Sequence, residues 1–333
     1  MIIIFLLILL IIIIILLVNN KEKFKNLLSY KKKYKYLNIK QASEVLKSVD
    51  ELNNYNKLDY KLRNINKDNY ENTCDFYIEK LENFGKHEKV VIDWVMKVLD
   101  EKTPENLKFL YEDISFAKYS NGVENNFPHT HKNTIFLSKK YLSSCFFYFN
   151  TNMEEDMLEN FGVVIIHECV HLWQRKNTEL FNKLYVYYWN FVKVDKIHNN
   201  YLEKYIRFNP DGNTNNWVLN NKSNNKHIML VSLYTDNSKN IGNVENVAIY
   251  LDRHEITYIL PSKDNLKKIP INKCDVFNEL FDNVNSNNYH PNELSAELIS
   301  IYYLQKMDIS HYNFENKGLK KLDSWFKKEV FSL

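Results

Sequence analysis

The sequence predicts an α+β fold, helix-rich with a small mixed sheet, preceded by one N-terminal transmembrane helix. Three observations carry this. Stretches with apolar residues at helical spacing outnumber strand-like runs. Gly and Pro number only 6 each in 333 residues, which leaves helices uninterrupted. The chain also opens on "MIIIFLLILLIIIIILLV", which has no charged or polar side chain.

As a helix, Met1 to Val18 spans roughly 27 Å, close to a hydrocarbon core of about 30 Å. No basic start and no small-residue cleavage site accompany it, so it reads as a retained anchor over residues 1–18 rather than a signal peptide. Lys21, Lys23, Lys25, Lys31, Lys32, Lys33 and Lys35 follow it and mark residues 19–40 as a basic juxtamembrane segment. The positive-inside rule then places the remaining domain, residues 41–333, on the cytosolic side. Net charge is +3, which selects neither nucleic acid nor a strongly acidic partner. Cys74, Cys145, Cys169 and Cys274 form no close-spaced pair and read as free thiols of a reducing compartment.

Helical spacing recurs over Gln41–Leu52, Cys74–Phe84 and His87–Glu101; in the last, Val91, Trp94, Val95, Val98 and Leu99 form one apolar stripe. The run Asn133–Leu142 begins as a strand. A turn at 150–153 leads into a long helix, about Glu154 to Lys176, with Asn152 as its cap and Glu154, Glu155 and Asp156 at its positive end. A second helix covers Asn177–Val192. "RFNPDGNTNNW" (Arg207–Trp217) is turn chemistry, and "KHIMLVSLYT", "NVAIYL" and "RHEITYIL" are strands. Asn292–Met307 is a helix following Pro291, and the tail from Gly318 is amphipathic. His129 and His131 read as two polar side chains of a loop.

The long helix carries "VVIIHECVHLWQR" (Val163–Arg175). Positions four apart lie about 40° from each other on a helix, so His167 and His171 can aim at one ion. Two neutral imidazoles suit Zn²⁺. Glu168 is rotated by about 100° from His167, where it can hold a water beside that ion and take its proton. Cys169 faces away. A charged and polar triplet in so apolar a run is costly unless something binds it. The competing reading is a buried helix with two satisfied histidines.

A catalytic zinc takes three protein ligands and leaves a position for water. "HPNELSAELIS" (His290–Ser300) offers Glu293 and Glu297, four apart on one helix face. One can bind the metal while the other accepts the free N–H of a ligand histidine. "RHEIT" (Arg253–Thr257) repeats His-Glu without a second histidine in place. Tyr289, His290 and Arg207 are the candidates for stabilising a developing oxyanion.

"HECVHLWQR" resembles the active-site helix of the zincin metallopeptidases, in the version that continues HExxHxxQ, and "NELSAE" resembles the downstream glutamate element of gluzincin-like members. The resemblance runs over about Phe116 to Met307. It implies a zincin-like catalytic domain in which His167, His171 and Glu293 bind zinc, Glu168 is the general base and Glu297 orients a histidine. The gap from His171 to Glu293 exceeds the usual one, which implies an inserted subdomain at about 195–288, and ExxxE stands where ExxxD is usual. The composition and bare anchor are similar to metallopeptidase-like proteins of giant DNA viruses. The expectation is therefore a membrane-anchored zinc metalloendopeptidase acting on a peptide or protein, cytosolic or in a virion membrane, with no nucleic-acid partner. The alternatives are an inactive zincin-like binding or assembly protein tethered to a membrane, and a metal-free helical scaffold.

Overall fold

A computed structural model describes residues 30–49, 55–66, 73–151, 153–211, 216–221, 226–252, 257–259, 266–282, 284, 286–312 and 315–332. The first sheet contains β1 (Tyr34–Tyr36), β2 (Leu81–Glu82), β3 (Ile114–Tyr119), β4 (His129–His131) and β5 (Thr134–Ser138). Its order is β1-β3-β5-β4, with β2 paired to β3. β1, β3 and β5 run parallel, whereas β4 returns antiparallel to β5. All six residues of β3 and all five of β5 are buried. Alternation explains why. Ile114, Phe116, Ile135 and Leu137 enter the main core, while Ala117, Tyr119 and Phe136 face a second apolar cluster.

Helices cover both faces. On the small-cluster side lie α1 (Ile39–Lys47) and α3 (Thr73–Glu79), with α2 (Lys57–Leu62) between them in the chain. Asn38 and Asn56 cap α1 and α2 through complete capping boxes. The main core is built from α4 (Lys86–Lys102), α5 (Lys139–Thr151), α6 (Glu154–Met157), α7 (Val163–Lys176) and α8 (Thr178–Lys183). The helix expected from Glu154 to Lys176 contains a five-residue π-helical step, Leu158–Gly162, directly before α7. A Cβ on Gly162 would lie 3.0 Å from Leu158 Cδ2 and 3.4 Å from Leu99 Cδ2, so glycine lets α4 close on the start of α7. Asn152, the expected cap, lies outside the described residues.

A second, antiparallel sheet follows. It is formed by β6 (Phe191–Lys193), β8 (Trp217–Asn221), β9 (Lys226–Tyr234), β10 (Val244–Asp252) and β12 (Lys268–Pro270), in the order β12-β10-β9-β8-β6. β7 (Lys196–His198) and β11 (Thr257–Ile259) make a separate parallel pair, and α9 (Asn200–Tyr205) lies between β7 and β8 in the chain. Leu219, Ile228, Leu230 and Ala248 join the main core, whereas Val218, Met229, Val231, Val247 and Ile249 form their own cluster on the other face. The region expected as an insertion thus supplies a two-faced sheet that shares the main core. α10 (Asp275–Phe281), α11 (Pro291–Lys306) and α12 (Lys317–Trp325) complete the fold, with α11 packed along α7.

The expected transmembrane helix, and with it a single-pass membrane protein, is corrected: no helix among the described residues is long and apolar enough to cross a membrane. Residues 1–18 lie outside the described residues. The juxtamembrane expectation also changes, because residues 34–36 form a strand of the first sheet. Tyr34 and Tyr36 each donate to Asp93 Oδ1 at 2.7 Å, and Lys32 pairs with Asp93 Oδ2 at 2.7 Å. This part of the basic segment is held by a carboxylate of α4.

Candidate metal centre

His167 and His171 sit one turn apart on α7, and Glu293 lies in the first turn of α11. The packing of the two helices brings the three together. His171 Nε2 lies 3.1 Å from His167 Nε2 and 3.4 Å from Glu293 Oε1, and His167 Nε2 lies 3.5 Å from Glu293 Oε2. This group could hold a metal ion. His171 and Glu293 are buried, and His167 is partly so.

Gln174 fixes which nitrogen of His171 faces the group. The Asn292 carbonyl can only accept, so the Gln174 amide nitrogen must point to it, at 2.8 Å. The same nitrogen donates to Ser295 Oγ at 2.8 Å. Gln174 Oε1 is left to accept from His171 Nδ1–H at 2.9 Å, which leaves the Nε2 lone pair aimed at His167 and Glu293. Burial would lower the His167 pKa, but the hydrogen bond and charge of the Glu293 carboxylate outweigh it and push it up to about 9. His171 is lowered by burial and stays neutral.

Glu168 is buried in the same cavity, and its Oε2 has no partner among the described residues. Burial, then the charge of Asp211, raises its pKa well above the ordinary carboxylate range. The cavity measures about 430 Å³ and is lined by His167, Glu168, Glu293, Arg207, Asn209 and Tyr289, among others. Asn209 Nδ2 donates both to Glu293 Oε1 at 2.8 Å and to the Tyr289 hydroxyl at 2.9 Å. Asp211 Oδ1 accepts from the Thr130 backbone N–H and hydroxyl, each at 2.7 Å. Arg175, one residue past Gln174, donates to the Thr130 carbonyl at 2.9 Å and to the Asp211 carbonyl at 2.8 Å. The loop through Asn209 and Asp211 is thereby fastened to β4.

A buried ionic cluster forms the far wall. Arg63 donates to Asp59 Oδ1 and Glu124 Oε1, each at 2.7 Å, and to the Phe208 carbonyl at 2.9 Å. Tyr77 donates to the same Glu124 oxygen. Burial would raise the Glu124 pKa, but Arg63 outweighs it and the net shift is downward.

Some expected residues take other roles. Glu297 accepts from Ser286 Oγ at 2.6 Å and Asn287 Nδ2 at 2.9 Å; Gln174, from outside the group, bonds His171. His290 Nδ1 accepts from the Asn292 N–H and caps α11, the helix that carries Glu293. Tyr289 and Arg207 do face the cavity. His129 and His131 belong to a buried strand rather than a loop, and His129 stacks on Tyr119 and Phe136. Residues 253–256 of "RHEIT" lie outside the described residues. Sequence reading missed Asn209 and Asp211; their only signal was the Asn-Pro-Asp-Gly turn, which marks a bend and not a contact.

No family model matches the chain, and comparison with curated proteins and with solved structures finds no match.

Proposed function

We propose that the protein is a zinc-dependent metalloendopeptidase of the zincin kind, with His167, His171 and Glu293 as the metal ligands. The observation that carries this reading is the close approach of the donor atoms of His167, His171 and Glu293. A tetrahedral ion with bonds of about 2.0–2.1 Å requires its ligand atoms to stand about 3.3 Å apart. The two imidazole Nε2 atoms stand 3.1 Å apart, and each has a different Glu293 oxygen nearby, Oε1 at 3.4 Å from His171 and Oε2 at 3.5 Å from His167. Two imidazoles and one carboxylate are also a donor set that zinc accepts in hydrolytic sites. When bound, zinc supplies Lewis acidity, lowering the pKa of water toward about 7 and polarising a carbonyl.

The chain's own groups do the rest. Glu168 takes the proton of the attacking water at Oε2, which is buried in the cavity without a partner among the described residues. Gln174 holds the His171 ring, and Asn209 holds the Glu293 carboxylate. Tyr289 accepts from Asn209, so its own O–H can donate to a developing oxyanion in the cavity.

The test is metal content followed by turnover. Purified protein should carry one zinc per chain, lost in His171→Ala and weakened in Glu293→Ala. Glu168→Gln should keep the zinc and lose hydrolysis of a peptide library. No zinc in a metal-replete preparation, or full turnover in Glu168→Gln, overturns the reading.

A further inference from the structure

Two arginines line the cavity, and their charges are spent differently. Arg63 is enclosed, its side chain 2% exposed, and divided between Asp59 and Glu124. Among the described residues Arg207 has no such partner. Among the described residues no carboxylate or carbonyl accepts from its side chain, and its Nε is buried without a hydrogen bond. The guanidinium lies over the Tyr289 ring, 5.0 Å from its centre. Its backbone is held to the second sheet, where the Arg207 N–H donates to the Ser232 carbonyl at 3.0 Å. The cation is therefore fixed in place, and it faces the cavity.

Of the acidic groups of the cavity wall, Glu168 has an unpartnered Oε2 but makes no hydrogen bond or ion pair with Arg207 among the described residues, and the others are engaged elsewhere. Glu124 is held by Arg63 and Tyr77, and Asp211 by Thr130 and Arg175. Glu293 is held by the two histidines and Asn209, and Glu297 by Ser286 and Asn287. This half-buried guanidinium is left without an ion-pair partner among the described residues. Its planar fork matches a carboxylate through two parallel N–H···O bonds. Tyr289 and Asn209 connect it to Glu293, so it stands one phenol ring and one amide away from the metal-binding group.

We infer that Arg207 is an anion subsite that receives a carboxylate of the substrate close to the reacting bond, either the C-terminal carboxylate of a peptide or an Asp or Glu side chain. The inference rests on the peptidase reading for the word substrate. The binding itself can be measured without turnover.

The experiment uses the full chain carrying Glu168→Gln, zinc-loaded, and a degenerate hexapeptide library in three forms. One form has a free C-terminus and no acidic residue, one is C-amidated with no acidic residue, and one is C-amidated with a single Glu. Retention on the immobilised protein is quantified by mass spectrometry. At least one carboxylate-bearing form should be retained about tenfold more than the neutral amide. Adding Arg207→Gln should abolish that preference, while Arg207→Lys keeps part of it. Preference for the first form assigns a C-terminal carboxylate, and preference for the third assigns an acidic side chain. Equal retention of all three forms, or a preference that survives Arg207→Gln in a variant with unchanged circular dichroism and zinc content, overturns the inference. The same comparison on metal-free protein separates the two readings: no zinc bound at all defeats the peptidase, and a carboxylate preference that still depends on Arg207 keeps the subsite.

Discussion

Gln174 binds His171 and the backbone of α11 at the same time: its Oε1 takes the Nδ1–H, and its Nε2 reaches the Asn292 carbonyl, 118 residues further along the chain. One amide therefore sets both the tautomer of His171 and the distance to the helix that holds Glu293. Gln174→Leu should weaken zinc binding by about 10–100-fold, the usual loss when the partner of a ligand histidine is removed. Competition with a chelator of known affinity measures this, and unchanged affinity would show that the amide is only a packing contact.

The Arg63 cluster gives a stability prediction independent of the metal. Arg63→Leu leaves Asp59 and Glu124 buried without their cation. Breaking a buried pair in this way costs about 3–5 kcal/mol. Urea denaturation of the variant against the parent should give a loss of this size. A change below about 1 kcal/mol would mean that water reaches the cluster and screens it.

Glu124 also predicts a pH dependence. Its folded pKa lies below the ordinary glutamate value of 4.5. The folded state therefore binds the Glu124 proton less readily than the unfolded state does. The stability advantage of the parent over Glu124→Gln should be fully present above pH 4.5 and shrink as pH falls through the lowered folded value. Denaturation midpoints of the two proteins, measured from pH 6 down to about pH 3, test this. An advantage that grows with acid would reverse the assignment of Arg63 as the dominant neighbour.

Gly162 predicts a packing cost. Leu158 and Leu99 leave room for a hydrogen but little for a branched side chain. Gly162→Val should destabilise by about 1–3 kcal/mol, as overpacking of a core does. Thermal denaturation of variant and parent is the check, and an unchanged midpoint would mean that α4 moves aside freely.

The sequence made some of this legible. His167 and His171 follow from helical geometry alone, because their alignment is local. The grouping of Glu293 with them was reachable because a third donor was sought among carboxylates and imidazoles on ordered elements. The pairing of Glu293 and Glu297 by face was right as geometry and silent about partners: the turn at Ser286 and Asn287 lies against Glu297 and takes its oxygens. β3 was not seen, since a strand buried on both faces shows no alternation. Asn209, Asp211 and Arg63 were beyond reach for a different reason. Their partners, Glu293, Thr130 and Glu124, lie 84, 81 and 61 residues away, and no periodicity encodes such a meeting.

The order of the elements along the chain has a consequence for timing. α7 leaves the ribosome with both histidines and Glu168, but the whole second sheet must be made before α11 brings Glu293. Translation proceeds from the N-terminus at about 5–20 residues per second, and domains fold as units during it. A nascent chain thus carries Glu168 and the two histidines while Glu293 is still unsynthesised, and the carboxylate that completes the group arrives only with the final fifth of the polypeptide. Assembly of the centre is in this way a report that synthesis of the sheet is finished.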